Sequence, residues 1–432
     1  MGVLILGVCG LLRPAVLVVG LLALALLGGR ETVRAGRETW EALRAPTVAL
    51  SGPSALRGVM VLFFIMNATR AFEPPWEYDA LEYHFGAPAL WLKAGRVTFL
   101  DRNVYSNMPQ NTEMLYLLSM SLTGSTVDGA ALGQLFNAVM GALCALAVRG
   151  AVRDMAGRTA GGVAGAVWYA WPGATLYAGT GHVEIAQQLY GVLALWAGIG
   201  ALSEKPGPLR MAALAGLMTG LAMGVKYPSG LFVAIPAAAL CFMAGFRAGK
   251  LRMGLAATAL AGAVAVASFS PWLVRNTVNT GNPVYPVLYR VFGGANWSAW
   301  QEARWQSRHS PGAGSVGEFV SAIRGFFTAS EDRTQSELLF VFLPFLVLLR
   351  RRNVTAALGV AGYALFCFVA WYLFTHRADR FLAPVVPALA ALAGMGFAAI
   401  ASRPGRMAAG VVLGALLVAG PSASMRSVNT GH

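Results

Sequence analysis

The 432-residue chain is 56% hydrophobic and 12% charged, with a mean hydropathy of +0.59, whereas a soluble domain carries about 25% charged residues. This excludes an ordinary soluble enzyme fold and points to an integral membrane protein, because apolar runs near the ~20 residues that cross a bilayer recur along its length. The net charge of +14 comes from an Arg-dominated basic set. With the Ala and Gly excess, it reads as genome composition and loop orientation, not as a nucleic-acid surface.

In chain order the apolar runs predict an all-α, polytopic bundle of about twelve spans. They lie near 3–28, 56–70, 127–148, 159–178, 184–202, 211–225, 229–245, 254–270, 338–349, 354–373, 383–400 and 408–421. The second and ninth are short enough to re-enter the bilayer without crossing it. The first lacks a basic start and an A-x-A cleavage site, so it is read as a retained helix. Cys9, Cys144, Cys241 and Cys367 fall in apolar runs without a CxxC pair, so neither a disulfide framework nor a thiolate metal site is indicated.

Basic loops stay on the cytoplasmic side. The alternate loops 29–57, 149–158, 203–210, 246–253, 350–353 and 401–407 hold more than half of the 33 Lys and Arg residues in less than half the length of the opposite loops. Both long loops, 71–126 and 271–337, then lie outside the cytoplasm together with all 5 His residues. The expected organisation is an N-terminal helix with a basic cytoplasmic loop over 1–57, a transmembrane domain over 58–421 and a short tail over 422–432.

The first outer loop opens with Glu73-Pro-Pro-Trp-Glu-Tyr-Asp-Ala-Leu-Glu-Tyr-His84. If Trp76 to Trp91 is helical, Asp79 and Glu82 share one face, close enough for one carboxylate to raise the other's pKa and make a general base. The alternative is a solvated juxtamembrane helix anchored by Trp76, Tyr78 and Trp91. Farther on, Asn111 or Thr112 is placed to cap a helix carrying Glu113 in its first turn. Two short outer turns bring His182 with Glu184, and Lys226, to helix ends, where ionisable groups are costly unless paired or functional.

The second long loop starts at Pro271, where Pro and Gly are expected to end the helix and leave Arg275 and Asn276 at the interface. The Arg275 fork suits a phosphate. Trp297, Trp300 and Trp305 are read either as sugar-stacking rings or as interfacial residues, and the last outer turn adds Arg377 and Arg380.

In these residues the chain resembles the C-type (GT-C) glycosyltransferases, which include bacterial aminoarabinose transferases and protein O-mannosyltransferases. The likeness is strongest to their dolichyl-phosphate-mannose-transferase-like branch. It rests on Asp79-Ala-Leu-Glu82-Tyr-His84 after a span, the Pro109 to Glu113 element, Lys226-Tyr, Pro271-Trp-Leu-Val-Arg-Asn276 with Thr280 to Pro286, and Arg377 to Pro384, over roughly residues 56–400. The resemblance implies a GT-C bundle in a bacterial cytoplasmic (inner) membrane, with its active site on the extracytoplasmic side. There it would transfer a sugar, with inversion, from a polyprenyl-phosphate carrier to a glycan, lipid or protein acceptor.

Asp79 or Glu82 would be the base. His84, Glu113, His182, Glu184, Lys226, Arg275, Asn276, Arg377 and Arg380 would contact the substrates, with the cations on the lipid phosphate. The chain departs from many relatives in separating its two first-loop acids by two residues and in placing a helix and basic loop before the family-like region. No cofactor is required by this reading; a variant of it uses a divalent metal on Asp79, Glu82, His84 and His182. A multi-span lipid or solute transporter is the alternative from another class, and it predicts polar groups near the bilayer midplane.

Overall fold

A computed structural model of the chain describes all residues except 32, 35–36, 38–51, 102, 203–206, 248, 313, 329–338 and 429–432. The described residues form helices and no strand. The first half contains α1 (Gly2–Val8), α2 (Pro14–Leu27), α3 (Gly52–Arg70), α4 (Gly86–Ala94), α5 (Asn111–Thr123), α6 (Thr126–Ala156), α7 (Arg158–Ala170), α8 (Pro172–Ala178) and α9 (Glu184–Ala201). The second half adds α10 (Pro208–Met223), α11 (Ile235–Arg247), α12 (Leu251–Thr280), α13 (Ala299–His309), α14 (Val316–Thr328), α15 (Arg351–Phe374), α16 (Val386–Ala399) and α17 (Arg403–Val428), with a single helical turn at Tyr289–Phe292.

Among the described residues, four helical stretches are long and apolar enough to cross a membrane: Thr126–Ala156, Leu251–Thr280, Asn353–Phe374 and Asp379–Ala399. Shorter apolar helices occupy Pro14–Leu27, Pro208–Met223 and Gly230–Phe246. Several expected spans are divided. The first breaks between α1 and α2, where Gly10 takes φ +70° and Pro14 begins a new helix at a position whose N–H needs no partner. The fourth breaks at Trp171, which the following Pro172 holds extended at φ −60°, ψ 128°. The ninth, 338–349, contains a 3₁₀ turn at Leu343–Leu348; at about 2 Å per residue it is far shorter than the ~30 Å hydrocarbon core.

Pro271 does not end its helix. Proline removes the N–H that would bond the carbonyl of Ala267, and the Ser270 hydroxyl donates to that carbonyl instead at 2.8 Å. The helix therefore continues to Thr280 and stops at Gly281, which takes φ +78°. Arg275 and Asn276 consequently lie in the last turns of α12, not in a loop.

The core is built by α6, α7, α9, α15 and α16 around Trp168, Tyr169, Trp171 and Trp371. Close approach between α10 and α12 depends on Gly216 and Gly220, where a Cβ would meet the Ala261 and Ala265 carbonyl oxygens at 2.2 and 2.4 Å. Small residues four apart let backbones meet where lipid gives no hydrophobic drive for association.

Candidate functional site

Two amides on α6, Gln134 and Asn137, pin the segments 71–73 and 177–182. Gln134 donates to the carbonyls of Ala71 (3.0 Å) and Glu73 (2.8 Å), fixing where the acidic stretch leaves α3. Asn137 points its Nδ2 at the carbonyls of Tyr177 (2.7 Å), Thr180 (2.8 Å) and His182 (2.6 Å). Their separation of three residues puts both amides on one helix face, so one rigid helix positions two chemically active turns.

The acidic stretch is not one α-helix. It forms a π-helical turn, Ala80–His84, followed by α4. This separates Asp79 from Glu82: Asp79 Oδ2 accepts from Arg380 Nη1, while exposed Glu82 accepts from Asn103 Nδ2 at 2.9 Å. The expected carboxylate pair is absent, because each acid has a different partner. Trp91 is fully buried and donates to the Thr98 carbonyl at 2.9 Å, so it is core and not an interfacial anchor. Asn111 and Thr112 do not cap α5, whose N-cap is Gln110 without a side-chain cap. Instead Asn111 donates to the Leu221 carbonyl (3.0 Å) and accepts from Trp272 Nε1 (2.8 Å).

Three further pairs complete the site. His84 Nδ1 meets Glu113 Oε1 at 2.6 Å, His182 Nδ1 pairs with Glu77, and Lys226 Nζ meets Glu184 Oε1 at 2.5 Å. Side chains from residues 77–84, 113, 182–184, 226 and 380 thus interlock. A cavity of about 240 Å³ opens among them, with Tyr83, His84, Glu113, Lys226, Arg380 and Phe381 in its wall. Lys226 Nζ lies 5.8 Å from the Phe381 ring centre. Among the described residues, His84 Nε2 and Glu113 Oε2 are buried without hydrogen-bond partners, which leaves polar valences for a ligand to fill.

Burial pushes the Glu113 carboxyl up to about 8 and pulls the His84 imidazole well below its ordinary value. At neutral pH a protonated Glu113 donating to neutral His84 Nδ1 satisfies both, leaving the His84 Nε2–H as a donor. Burial also opposes charge on His182, but the Glu77 carboxylate outweighs it and raises that imidazole. His376, on the same cavity, is lowered to about 4 by burial, with His309 and Arg380 acting in the same direction.

The other predicted cations contact main-chain carbonyls. Arg275 is buried, donates to the carbonyls of Asn107 and Thr98, each at 3.2 Å, and stacks against Trp91 and Trp272. Asn276 donates to the Tyr227 hydroxyl at 3.2 Å. Arg377, in a left-handed conformation at φ 62°, donates to the Gly312 carbonyl at 2.6 Å and the Tyr372 carbonyl at 3.2 Å. Neither Arg lines the cavity. The four suggested metal ligands are dispersed among separate partners, and among the described residues no group of three or more His, Cys, Asp or Glu is gathered to hold a metal ion.

Sequence reading missed Glu77 as the His182 partner and missed the ring cluster beside the cavity. His309 stacks on Trp305 with centroids 3.7 Å apart and meets the Tyr105 hydroxyl through Nε2 at 3.2 Å. The one sequence signal for this cluster was the assignment of every His to the expected outer side.

Comparison with known proteins places this geometry. The structure of ArnT from Cupriavidus metallidurans bound to undecaprenyl phosphate superposes with a TM-score of 0.60 at 16% identity, over 84% of this chain and 63% of that one. The fold is that of the GT-C glycosyltransferases. The same GT-C fold is shared with the Archaeoglobus fulgidus oligosaccharyltransferase in complex with Zn and sulfate, at TM-score 0.57 and 14% identity, over 85% of this chain and 52% of the other. It is also shared with the archaeal oligosaccharyltransferase AglB from Archaeoglobus fulgidus in complex with an inhibitory peptide and a dolichol-phosphate, at TM-score 0.56 and 13% identity, over 85% and 55%. The chain therefore spans less than two thirds of the length of these relatives.

The family model for dolichyl-phosphate-mannose-protein mannosyltransferase matches residues 112–274. That stretch includes Glu113, His182, Glu184 and Lys226 but neither Asp79 nor Arg380. No curated protein matches the chain.

Proposed function

We propose that this chain is a membrane glycosyltransferase that moves a sugar, with inversion, from a polyprenyl-phosphate carrier to a hydroxyl acceptor on the extracytoplasmic face of a bacterial cytoplasmic membrane. The observation that carries the reading is one cavity of a GT-C fold bearing two cations, Lys226 and Arg380, each held by a carboxylate from a different outer segment. About twelve spans and a transferase unit over 58–421, preceded by the 1–57 segment, belong to the same reading. The ArnT and AglB structures, with undecaprenyl phosphate and dolichol-phosphate respectively, support the donor class.

In the proposed step, the acceptor oxygen bonds to the anomeric carbon as the carbon–oxygen bond to phosphate breaks. The electron pair leaves with the phosphate, whose growing charge meets Lys226 and Arg380. The acceptor proton passes to Asp79, the partner of the cavity-lining Arg380. His84 Nε2–H donates to a sugar or phosphate oxygen, and Glu113 Oε2 accepts from a sugar hydroxyl. The charged pairs gather at helix ends assigned to the outer side, which favours transfer over transport through the midplane.

Mass spectrometry of lipid-linked sugars and envelope glycans tests this in cells with and without the gene. Deletion is expected to accumulate one polyprenyl-phosphate sugar and remove one sugar from an envelope product. Complementation by Asp79→Asn is expected to restore under about 1% of transfer, the scale of a lost general base. Unchanged lipid-linked sugars and glycans on deletion would overturn the reading, and full transfer by Asp79→Asn would overturn the base assignment.

A further inference from the structure

A second cavity, of about 480 Å³, lies on the other side of Tyr105, Trp305 and His309, which line both chambers. Its main wall is one face of α13. Trp300, Gln301, Arg304, Trp305 and Arg308 recur at intervals that place them along one side of a helix, and all five line the cavity. The Ser298–Gln301 capping box fixes the start of this helix. Trp297, also in the cavity wall, is held by its indole N–H donating to Glu302 Oε2 at 3.0 Å.

This face is unlike a membrane anchor. An interfacial helix presents a continuous apolar stripe to lipid, whereas here the Trp residues alternate with Gln and Arg along the stripe that faces the cavity. The Arg304 guanidinium lies 5.5 Å from the Trp300 ring centre, and neither Arg304 nor Arg308 has a carboxylate partner among the described residues. Opposite them stand Asp101, bonded to Asn296 at 3.5 Å, and the Tyr285 ring. Two arginines against one carboxylate give the cavity a positive balance. Planar aromatic faces bind the C–H faces of pyranose rings, and an Arg fork binds a carboxylate in two bonds.

We propose that this second cavity is the acceptor site and that it takes an acidic oligosaccharide, its rings lying along the Trp297–Trp300–Trp305 surface and its carboxylates on Arg304 and Arg308. This rests on the glycosyl-transfer reading and deepens it by naming the acceptor class. The shared wall sets one end of such an acceptor next to the cavity that holds Lys226 and Arg380.

The test uses the full chain in nanodiscs of zwitterionic lipid, with trigalacturonate and maltotriose as probes and undecaprenyl phosphate titrated separately on the same preparations. Trigalacturonate is expected to bind at least tenfold more tightly than maltotriose. The double substitution Arg304→Gln/Arg308→Gln should reduce it to the maltotriose level, and Trp300→Ala should weaken both probes, with undecaprenyl phosphate affinity unchanged in each variant. Absence of trigalacturonate binding, or binding that ignores the double substitution, would overturn the proposal. So would a tryptophan emission shift on transfer to phosphatidylglycerol discs that the arginine variants abolish while trigalacturonate still fails to bind, since α13 would then dock on anionic lipid. Failure of the wild-type chain to bind undecaprenyl phosphate would count against the transfer reading alone, because the oligosaccharide titration reads the second cavity independently.

Discussion

Lys226 and Arg380 form one pair of outer cations, and Arg275 and Arg377 another; in sequence the two pairs look alike. The sequence reading assigns all four to helix boundaries on one side. In the structure, the first pair meets carboxylate side chains at a cavity wall, whereas the second is occupied by backbone carbonyls from distant segments. A carboxylate-held cation can share its charge with an incoming anion, because carboxylate and phosphate present similar acceptors. A guanidinium that holds two chain segments together cannot be shared without opening the fold. The chemistry of the partner, not the identity of the cation, separates binding from scaffolding.

That contrast predicts opposite phenotypes. The largest effect is expected for Arg380→Gln, with sugar transfer reduced about 10²–10³-fold and the thermal midpoint nearly unchanged, since its Asp79 partner is partly solvated. Lys226→Gln should be as severe for transfer. It also leaves buried Glu184 unpaired, so the Glu184→Gln/Lys226→Gln double variant separates the two losses. Equal transfer by wild type and Arg380→Gln would erase the distinction between the pairs.

Arg275→Gln should behave the other way. Removing donors from the Thr98 and Asn107 carbonyls is expected to cost about 2–4 kcal/mol of stability, read as a lower thermal midpoint, while transfer per folded molecule is retained. A smaller effect is expected from pH. Glu113 holds its proton to about 8 when folded but releases it near the model-peptide value when unfolded, so the folded state binds more protons between those values and stability falls as pH rises through them.

His84, lowered by burial, has the opposite sign below its ordinary value, and raised His182 has the same sign as Glu113. His84 opposes Glu113 only below about pH 6.5, so Glu113 is read over about pH 6.5–8, as the difference from its Gln variant, because raised His182 and the lowered N-terminal amine also titrate there. There Glu113→Gln should flatten the fall in thermal midpoint, removing on the order of 1–2 kcal/mol of pH dependence. The smallest effect belongs to Glu82→Gln, which should change transfer by less than about threefold, because an exposed carboxylate bonded to Asn103 is worth little.

Lys226, Arg380, Glu113 and His84, singled out from the sequence, line one cavity, and the helical class was legible in the sequence because hydropathy acts locally. The continuation of α12 through Pro271 was not. It depends on one hydroxyl, Ser270, donating to one carbonyl, whereas the proline rule describes an uncompensated loss. The contacts of Arg275 were not legible either: its acceptors are main-chain oxygens, which every residue carries and no side-chain pattern reveals. The Tyr105–Trp305–His309 cluster joins residues about two hundred positions apart, beyond any helical or strand period.

The two carboxylate clamps also bear on the order of events at the cavity. With Lys226 matched by Glu184 and Arg380 by Asp79, these two pairs are electrically balanced at rest. A polyprenyl phosphosugar is a diester with one negative charge, while the monoester left after transfer carries close to two. For a donor of that kind, the clamps hold their positive charge partly in reserve and meet the phosphate most strongly as the second charge appears, so the attraction is weighted towards the bond-breaking moment and away from the arriving substrate.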